Sequence, residues 1–203
     1  MQAFVTLTAT ACPLPLSGVD TDQLIPARFM KRARSEGYGD ALLHDLRFDA
    51  RGAPVPDFPL NQPRWAGAGI LVARRNFGAG SSREAAVYAL WDYGVRCVLA
   101  PSFGDLFAAN AVNNGVLPAR LQEADAERLL MLLHDGLGAL TVDLRDCRVR
   151  AGAEEVPFMV DPVFRTKLLN GWSDLDLTAS HGTAIAAFMA RDALLRPWMP
   201  PRR

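Results

Sequence analysis

The stretch Gly78-Ala-Gly80-Ser81-Ser82-Arg83-Glu84 gathers the residues of this chain best suited to chemistry. Its two glycines permit a tight turn and close approach by a ligand. The apolar run Ala68–Ala73 before it has the length of a strand, and Ala85–Asp92 after it reads as a buried helix. A helix start exposes unpaired N–H groups and a partial positive charge, which suits a carboxylate or a phosphate. Arg83 adds a forked cation. Two hydroxyls and a guanidinium beside free amides make an anion-binding constellation that also holds a candidate nucleophile or base. Ser81 and Glu84 have the spacing of a capping box, which predicts the helix start here. Read alone, the same residues also describe a capped helix beside a solvated arginine.

Several known turns are excluded by single positions. A dinucleotide fingerprint needs glycine where Arg83 stands. A Walker A loop needs Gly-Lys-Ser/Thr after the glycines, which is absent. A hydrolase elbow needs glycine where Glu84 stands.

The elements that must position this turn follow from the apolar pattern. Residues 3–9 could form a first strand, and Val19–Pro26 is a mixed acidic and apolar segment. The basic, glycine-punctuated run after Pro26 fits a short helix or a mobile loop. Residues 52–64 carry four prolines, which predicts a surface loop outside the core. The helix after the turn should stop at Gly94, followed by a strand over Val95–Ala100 and a helix over Phe103–Asn114 stopped by Gly115. Strand–helix–strand–helix at this spacing implies a parallel pair with a right-handed crossover. Glu123–Asp135 has helical spacing, Leu140–Leu144 alternates like a strand, and Cys147–Arg150 with Val156–Val160 reads as a hairpin. A helix starts at Asp161 or Pro162, and Thr183–Leu195 reads as a last amphipathic helix capped near Ser180. The tail Met199–Arg203 is expected to fray. The class is α/β.

Composition narrows the function further. The chain has 203 residues, 50% hydrophobic and 22% charged, enough for a packed core. Lys+Arg and Asp+Glu are both 22, so no basic excess points to nucleic acid. No run approaches the roughly 20 apolar residues of a membrane helix, and the N-terminus lacks the pattern of a signal peptide. A cytoplasmic protein is the expectation. Cys12, Cys97 and Cys147 are far apart, and so are His44, His134 and His181. They have no metal-ligand spacing, and Cys97 reads as a buried inert thiol.

The 78–84 turn resembles the active-site turn of the aconitase superfamily, and within it the small subunits of 3-isopropylmalate dehydratases. Asp20–Pro26, Pro56–Pro63, Leu71–Phe77, Asp92–Gly94, Val98–Phe107 and Asn113–Pro118 carry the likeness in order. Asn170-Gly171, Leu177-Thr178, His181 and Ala184–Ala186 extend it over almost the whole chain.

The resemblance implies a swivelling β/β/α domain of the aconitase type, spanning 1–203 with a C-terminal helical extension. It implies a heteromer in which a separate large subunit carries a [4Fe–4S] cluster. The reaction implied is removal and re-addition of water between 2- and 3-isopropylmalate, in leucine biosynthesis. By the same resemblance Ser81 is the base, Arg83 stabilises its oxyanion and grips a substrate carboxylate, and Ser82 donates a further hydrogen bond. Asp22 aligns with an acidic residue at the edge of the site; turn capping is the other reading of it. Phe29–Tyr38 falls where the family has its substrate-recognition loop, so Lys31, Arg32 or Arg34 could meet a distal carboxylate.

Two positions depart from the family's usual Gly-Cys-Gly-Ser-Ser-Arg-Glu-His: Ala79 replaces Cys, and Ala85 replaces His. The lost imidazole removes a group that could tune the site. A related hydro-lyase acting on citraconate, 2-methylmalate, homoaconitate or a dimethylmaleate-type diacid is therefore the alternative. A non-catalytic paralogue that only binds a large subunit is a third reading.

Overall fold

A computed structural model describes residues 1–198. The chain opens with strand β1 (Thr6–Leu14), the one-turn helix α1 (Thr21–Leu24), 3₁₀ turns between Ala27 and Ala41, and the short helix α2 (His44–Arg47). An alternating unit follows: β2 (Ile70–Ala73), α3 (Glu84–Tyr93), β3 (Cys97–Ala100), α4 (Asp105–Asn113) and β4 (Leu117–Arg120). Helix α5 (Glu123–His134) leads into β5 (Ala139–Asp143), β6 (Arg148–Ala151) and β7 (Glu154–Pro157). Helices α6 (Pro162–Asn170), α7 (Asp174–Ser180) and α8 (Gly182–Leu195) complete the described chain. None of the described helices is long and apolar enough to cross a membrane.

All seven described strands join one sheet in the order β4-β3-β2-β1-β5-β6-β7. β1 divides it. Its second half pairs parallel with β2, and its first half pairs antiparallel with β5. Every residue of β2 and β3 is buried, as strands covered on both faces require. Leu71 and Ala73 share one core with Val87 and Leu90 of α3, while Ile70 and Val72 share the other with Leu129 and Leu133 of α5. The period of two in the strand thus sends alternate side chains to helices on opposite sides. β5 and β6 alternate exposed and buried positions, so their outer face meets solvent.

The α/β class and the parallel β2–β3 pair agree with the sequence. Other expectations need correction. The first strand runs 6–14 rather than 3–9, because Ala11–Leu14 continues as the buried partner of β2. The proline-rich segment is not outside the core: its 3₁₀ turns bury Leu60 and Trp65. The strand β4, absent from the sequence reading, contains Pro118 and sits at the sheet edge, where a missing N–H is tolerated. The capping box at 81 and 84 does not form; Arg83 is the N-cap of α3 and makes no side-chain cap bond. The last helix is found at Gly182–Leu195, as expected, but α8 buries none of its residues, and a further short helix, α7, precedes it. Residues 199–203 lie outside the described chain.

Beyond β2 the backbone turns through Asn76, Gly78 and Gly80, all at positive φ. A Cβ on Gly78 would overlap the ring of Phe107, and one on Gly104 would strike the Gly78 backbone. Phe77, Phe103 and Phe107 pack into an aromatic cluster beneath, with centroids 5.4–6.4 Å apart. Gly78→Ala should therefore cost about 3 kcal/mol or more in urea unfolding. Gly52→Ala, at a similar φ with open space around it, should cost about 1 kcal/mol.

Candidate active site

The parallel pairing of β1 with β2 continues past the ends of both strands. Ala11 faces Ile70 and Leu14 faces Ala73; at the same offset, Asp20 faces Ala79. Gly18 N–H donates to the Arg75 carbonyl, Gly78 N–H to Val19 and Thr21 N–H to Ala79. On the opposite flank Phe77 N–H donates to the Ser102 carbonyl and Gly104 N–H to Phe77. Asn76 N–H is taken by Ser102 Oγ at 2.8 Å. The glycine turn is therefore fixed from both sides before the two serines begin.

Ser81 and Ser82 stand exposed at the end of this clamp. The Ser81 carbonyl accepts from Oγ1 of buried Thr21 at 2.9 Å. Because Ser81 does not cap α3, its hydroxyl is not consumed by the helix it precedes. The open N-terminus of α3 adds its partial positive charge to the same surface.

Asp22 and Arg83 meet here. Asp20, not Asp22, caps α1, through a capping box with Gln23. Asp22 is left in the first turn with Oδ1 2.6 Å from Arg83 Nη1. The Arg83 side chain is 20% exposed, against 57% for Asp22. The approach is close, but it lacks hydrogen-bond geometry. Nη1 is buried and finds no hydrogen-bond partner among the described residues. Asp22 thus offsets charge while leaving a donor unspent. A guanidinium largely out of water with donors to spare attracts a second carboxylate strongly.

Glu84 begins α3 and accepts from Asn114 Nδ2 at 3.0 Å, tying α3 to the end of α4. Burial raises the Tyr88 hydroxyl above its ordinary pKa, and the nearby Glu84 carboxylate adds to this.

Two arginines of the Phe29–Tyr38 segment hold carboxylates of their own. Arg34 donates to both oxygens of Asp92, at 2.6 and 2.9 Å, and lies 4.4 Å over the Tyr88 ring. Asp92 also accepts the Tyr38 N–H at 2.8 Å. It stands eight positions beyond Glu84 on α3, about 12 Å along the axis. Arg32 donates twice to Asp40, at 2.7 and 2.9 Å. The structure brings Asp22, Ser81, Ser82 and Arg83 together. Arg32 and Arg34 pair with Asp40 and Asp92 and make no hydrogen bond or ion pair with these four.

The sequence reading missed Asp92, Thr21 and Asn76. Asp20 was recoverable, because Asp20-x-x-Gln23 has capping-box spacing. Nothing local marks Asp92, whose partners lie more than fifty positions away.

Among the described residues no group of three or more His, Cys, Asp or Glu side chains could hold a metal ion. Cys12 and Cys97 are buried and Cys147 is half-buried. Burial pushes the Cys12 thiol up to about 12, slightly opposed by the charge of Arg64. Burial alone raises Cys97 further. An iron–sulfur cluster or a zinc ion does not fit the described side chains.

The profile of the family described as the aconitase C-terminal domain matches residues 1–124. The 3-isopropylmalate dehydratase small subunit of Rhodospirillum centenum is 47% identical over 200 residues, covering 98% of each chain. That of Granulibacter bethesdensis is 45% identical over 202 residues, covering 98% of this chain and 97% of its own. The chain belongs to the 3-isopropylmalate dehydratase small-subunit family. A crystal structure of 3-isopropylmalate dehydratase from Methanocaldococcus jannaschii shares the fold, with a TM-score of 0.61 at 20% identity. It covers 90% of this chain and 98% of that one. The aconitase-type α/β fold implied by the resemblance is the fold found.

For this small-subunit chain the thiols give a direct check on the packing around the site. A thiol reagent at pH 8 should titrate Cys147 in the native protein and all three cysteines after denaturation. Burial disfavours the Cys12 thiolate and shields it from reagent, so raising the pH to 9 should leave it protected. Rapid native labelling of Cys12 or Cys97 would contradict the burial described.

Proposed function

We propose that this chain is the small subunit of a 3-isopropylmalate dehydratase, a hydro-lyase interconverting 2- and 3-isopropylmalate in leucine biosynthesis. The observation that carries this reading is Arg83, largely buried, paired with Asp22, and holding a buried donor without a partner. It lies beside two exposed hydroxyls at an open helix start. That is a carboxylate grip next to a group able to take a proton.

In this reading Arg83 and the N-terminus of α3 hold one substrate carboxylate, with Ser82 donating to it. A carboxylate so held lowers the cost of removing the proton from the adjacent carbon. Ser81 Oγ, stabilised as its oxyanion by the same positive field, takes that proton and returns it on rehydration. Asp22 keeps Arg83 oriented and limits its net charge. Substrate binding would turn Arg83 from its poor angle on Asp22 to a bidentate bond.

This chain supplies half of the reaction. Gly80, Ser81, Ser82 and Glu84 lie on open surface. The apolar cavity of about 480 Å³ beside Trp65 and Met131 is lined by none of them. The reading therefore includes a large subunit that covers the turn. Its [4Fe–4S] cluster would supply the Lewis acid for the departing hydroxyl.

Ala85, half-buried at the start of α3, favours one other reading. A site without the usual imidazole could serve a different diacid of the same shape. Assaying the assembled pair by alkene absorbance decides between them. Turnover of isopropylmalate is expected; none, with turnover of citraconate or dimethylmaleate, would replace the substrate and keep the chemistry. Ser81→Ala should abolish turnover, by at least about a thousandfold, while leaving assembly intact. Full turnover by this variant would remove Ser81 from the role of base.

A further inference from the structure

The C-terminal arm, α7 and α8, is built to be covered. No residue of α8 is buried, yet the helix contains Ile185, Phe188, Met189, Leu194 and Leu195. Phe188 and Met189 are 53% and 55% exposed, Leu194 and Leu195 84% and 67%. Two charges interrupt the helix: Asp192 is engaged by Arg196, and Arg191 lies over the Phe188 ring. A helix this apolar on all sides is stable in water only when something packs on it. Counting Leu175 and Trp198, and taking ~200 Å² per large side chain, the apolar surface is on the order of 1,000 Å². That exceeds the ~600 Å² patch of an ordinary monomer and reaches the ~800 Å² that each side of a stable interface contributes.

The base of the arm is fixed to the body. Lys167, 3% exposed, donates from Nζ to Asn113 Oδ1 of α4 and to Asp174 Oδ1 of α7, both at 2.5 Å. Ser173 and Asp176 complete a capping box at the start of α7. Phe4 N–H donates to the Leu168 carbonyl at 2.8 Å, pinning the end of α6 beside the joint with α7. A buried lysine with two partners holds the base of the arm against the body.

We infer that the arm is the docking element for the large subunit, inserting α8 as an apolar helix into an apolar groove of that partner. The inference rests on the functional reading above, since it needs a separate partner chain. The arm lies beyond the matched aconitase domain but within the stretch shared with the small-subunit relatives. It therefore accompanies the chains named as separate subunits, which must be held without a covalent link. The nearly uncharged surface of α8 calls for burial rather than steering, so the attachment should be strong and insensitive to salt.

The test uses the full chain carrying F188E and M189E together, titrated against the purified large subunit by sedimentation or calorimetry. The arm touches none of the two cores, so the variant should melt with the wild-type chain. Its Kd for the large subunit should rise at least tenfold, and its specific activity should return at high subunit concentration. If the wild-type pair is active and the variant assembles as tightly, the arm assignment is wrong and the functional reading stands. If the variant fails to assemble and the wild-type pair assembles without turning over isopropylmalate, the arm assignment stands and the functional reading fails. A chain that dimerises alone through this arm, with heteromer formation untouched by the substitutions, overturns the inference in favour of a second copy.

Discussion

The site depends on two backbone segments, separated by nearly sixty positions, that stay paired after their strands have ended. The Asp20–Ala79 bridge extends the β1–β2 register, and the bonds from Gly18, Gly78 and Thr21 hold it. Without that extension Asp22 and Arg83 would be charges on two unrelated loops. With it, the guanidinium is drawn out of water against a carboxylate that fails to use all its donors. Hydrogen bonds of the main chain therefore create the electrostatic feature to which function is assigned. The close approach of Gly104 to Gly78 and the aromatic cluster below support the same segment from the other side.

How much of this was legible in the sequence depends on range. The helix after the turn, its stop at Gly94 and the burial of β2 and β3 follow from local patterns, and the structure agrees. Leu117-Pro-Ala-Arg120 did not announce a strand, because it is short and its proline opposes one; only its edge position permits it. Thr183–Leu195 showed a helix, but periodicity cannot tell which face is packed, and here none is. Ser81, Ser82 and Arg83 could be picked from residue type alone. The partnership of Arg83 with Asp22 could not, since register between distant strands is not written locally. For the same reason the pairing of Arg34 with Asp92 could not be read from the sequence.

The division of labour follows from what the chain contains. It offers exposed hydroxyls beside Arg83, and among the described residues no cluster of side chains could hold a metal ion. On the proposed reading, the exposed serine turn and the exposed apolar arm are both incomplete as they stand. A single partner that covers each of them accounts for both, and explains why a chain with two well-packed cores leaves its last helix bare.

The central claim is that the side chain at position 81 moves the proton. Replacing the hydroxyl by a thiol changes its acidity by several units without changing its place, so the pH–rate profile of the Ser81→Cys pair tests the claim most directly. The account predicts low but measurable turnover with a new limb near the thiol range of about 8 to 9, lost on alkylation. A profile identical in shape to the wild type, with alkylation harmless, would contradict it.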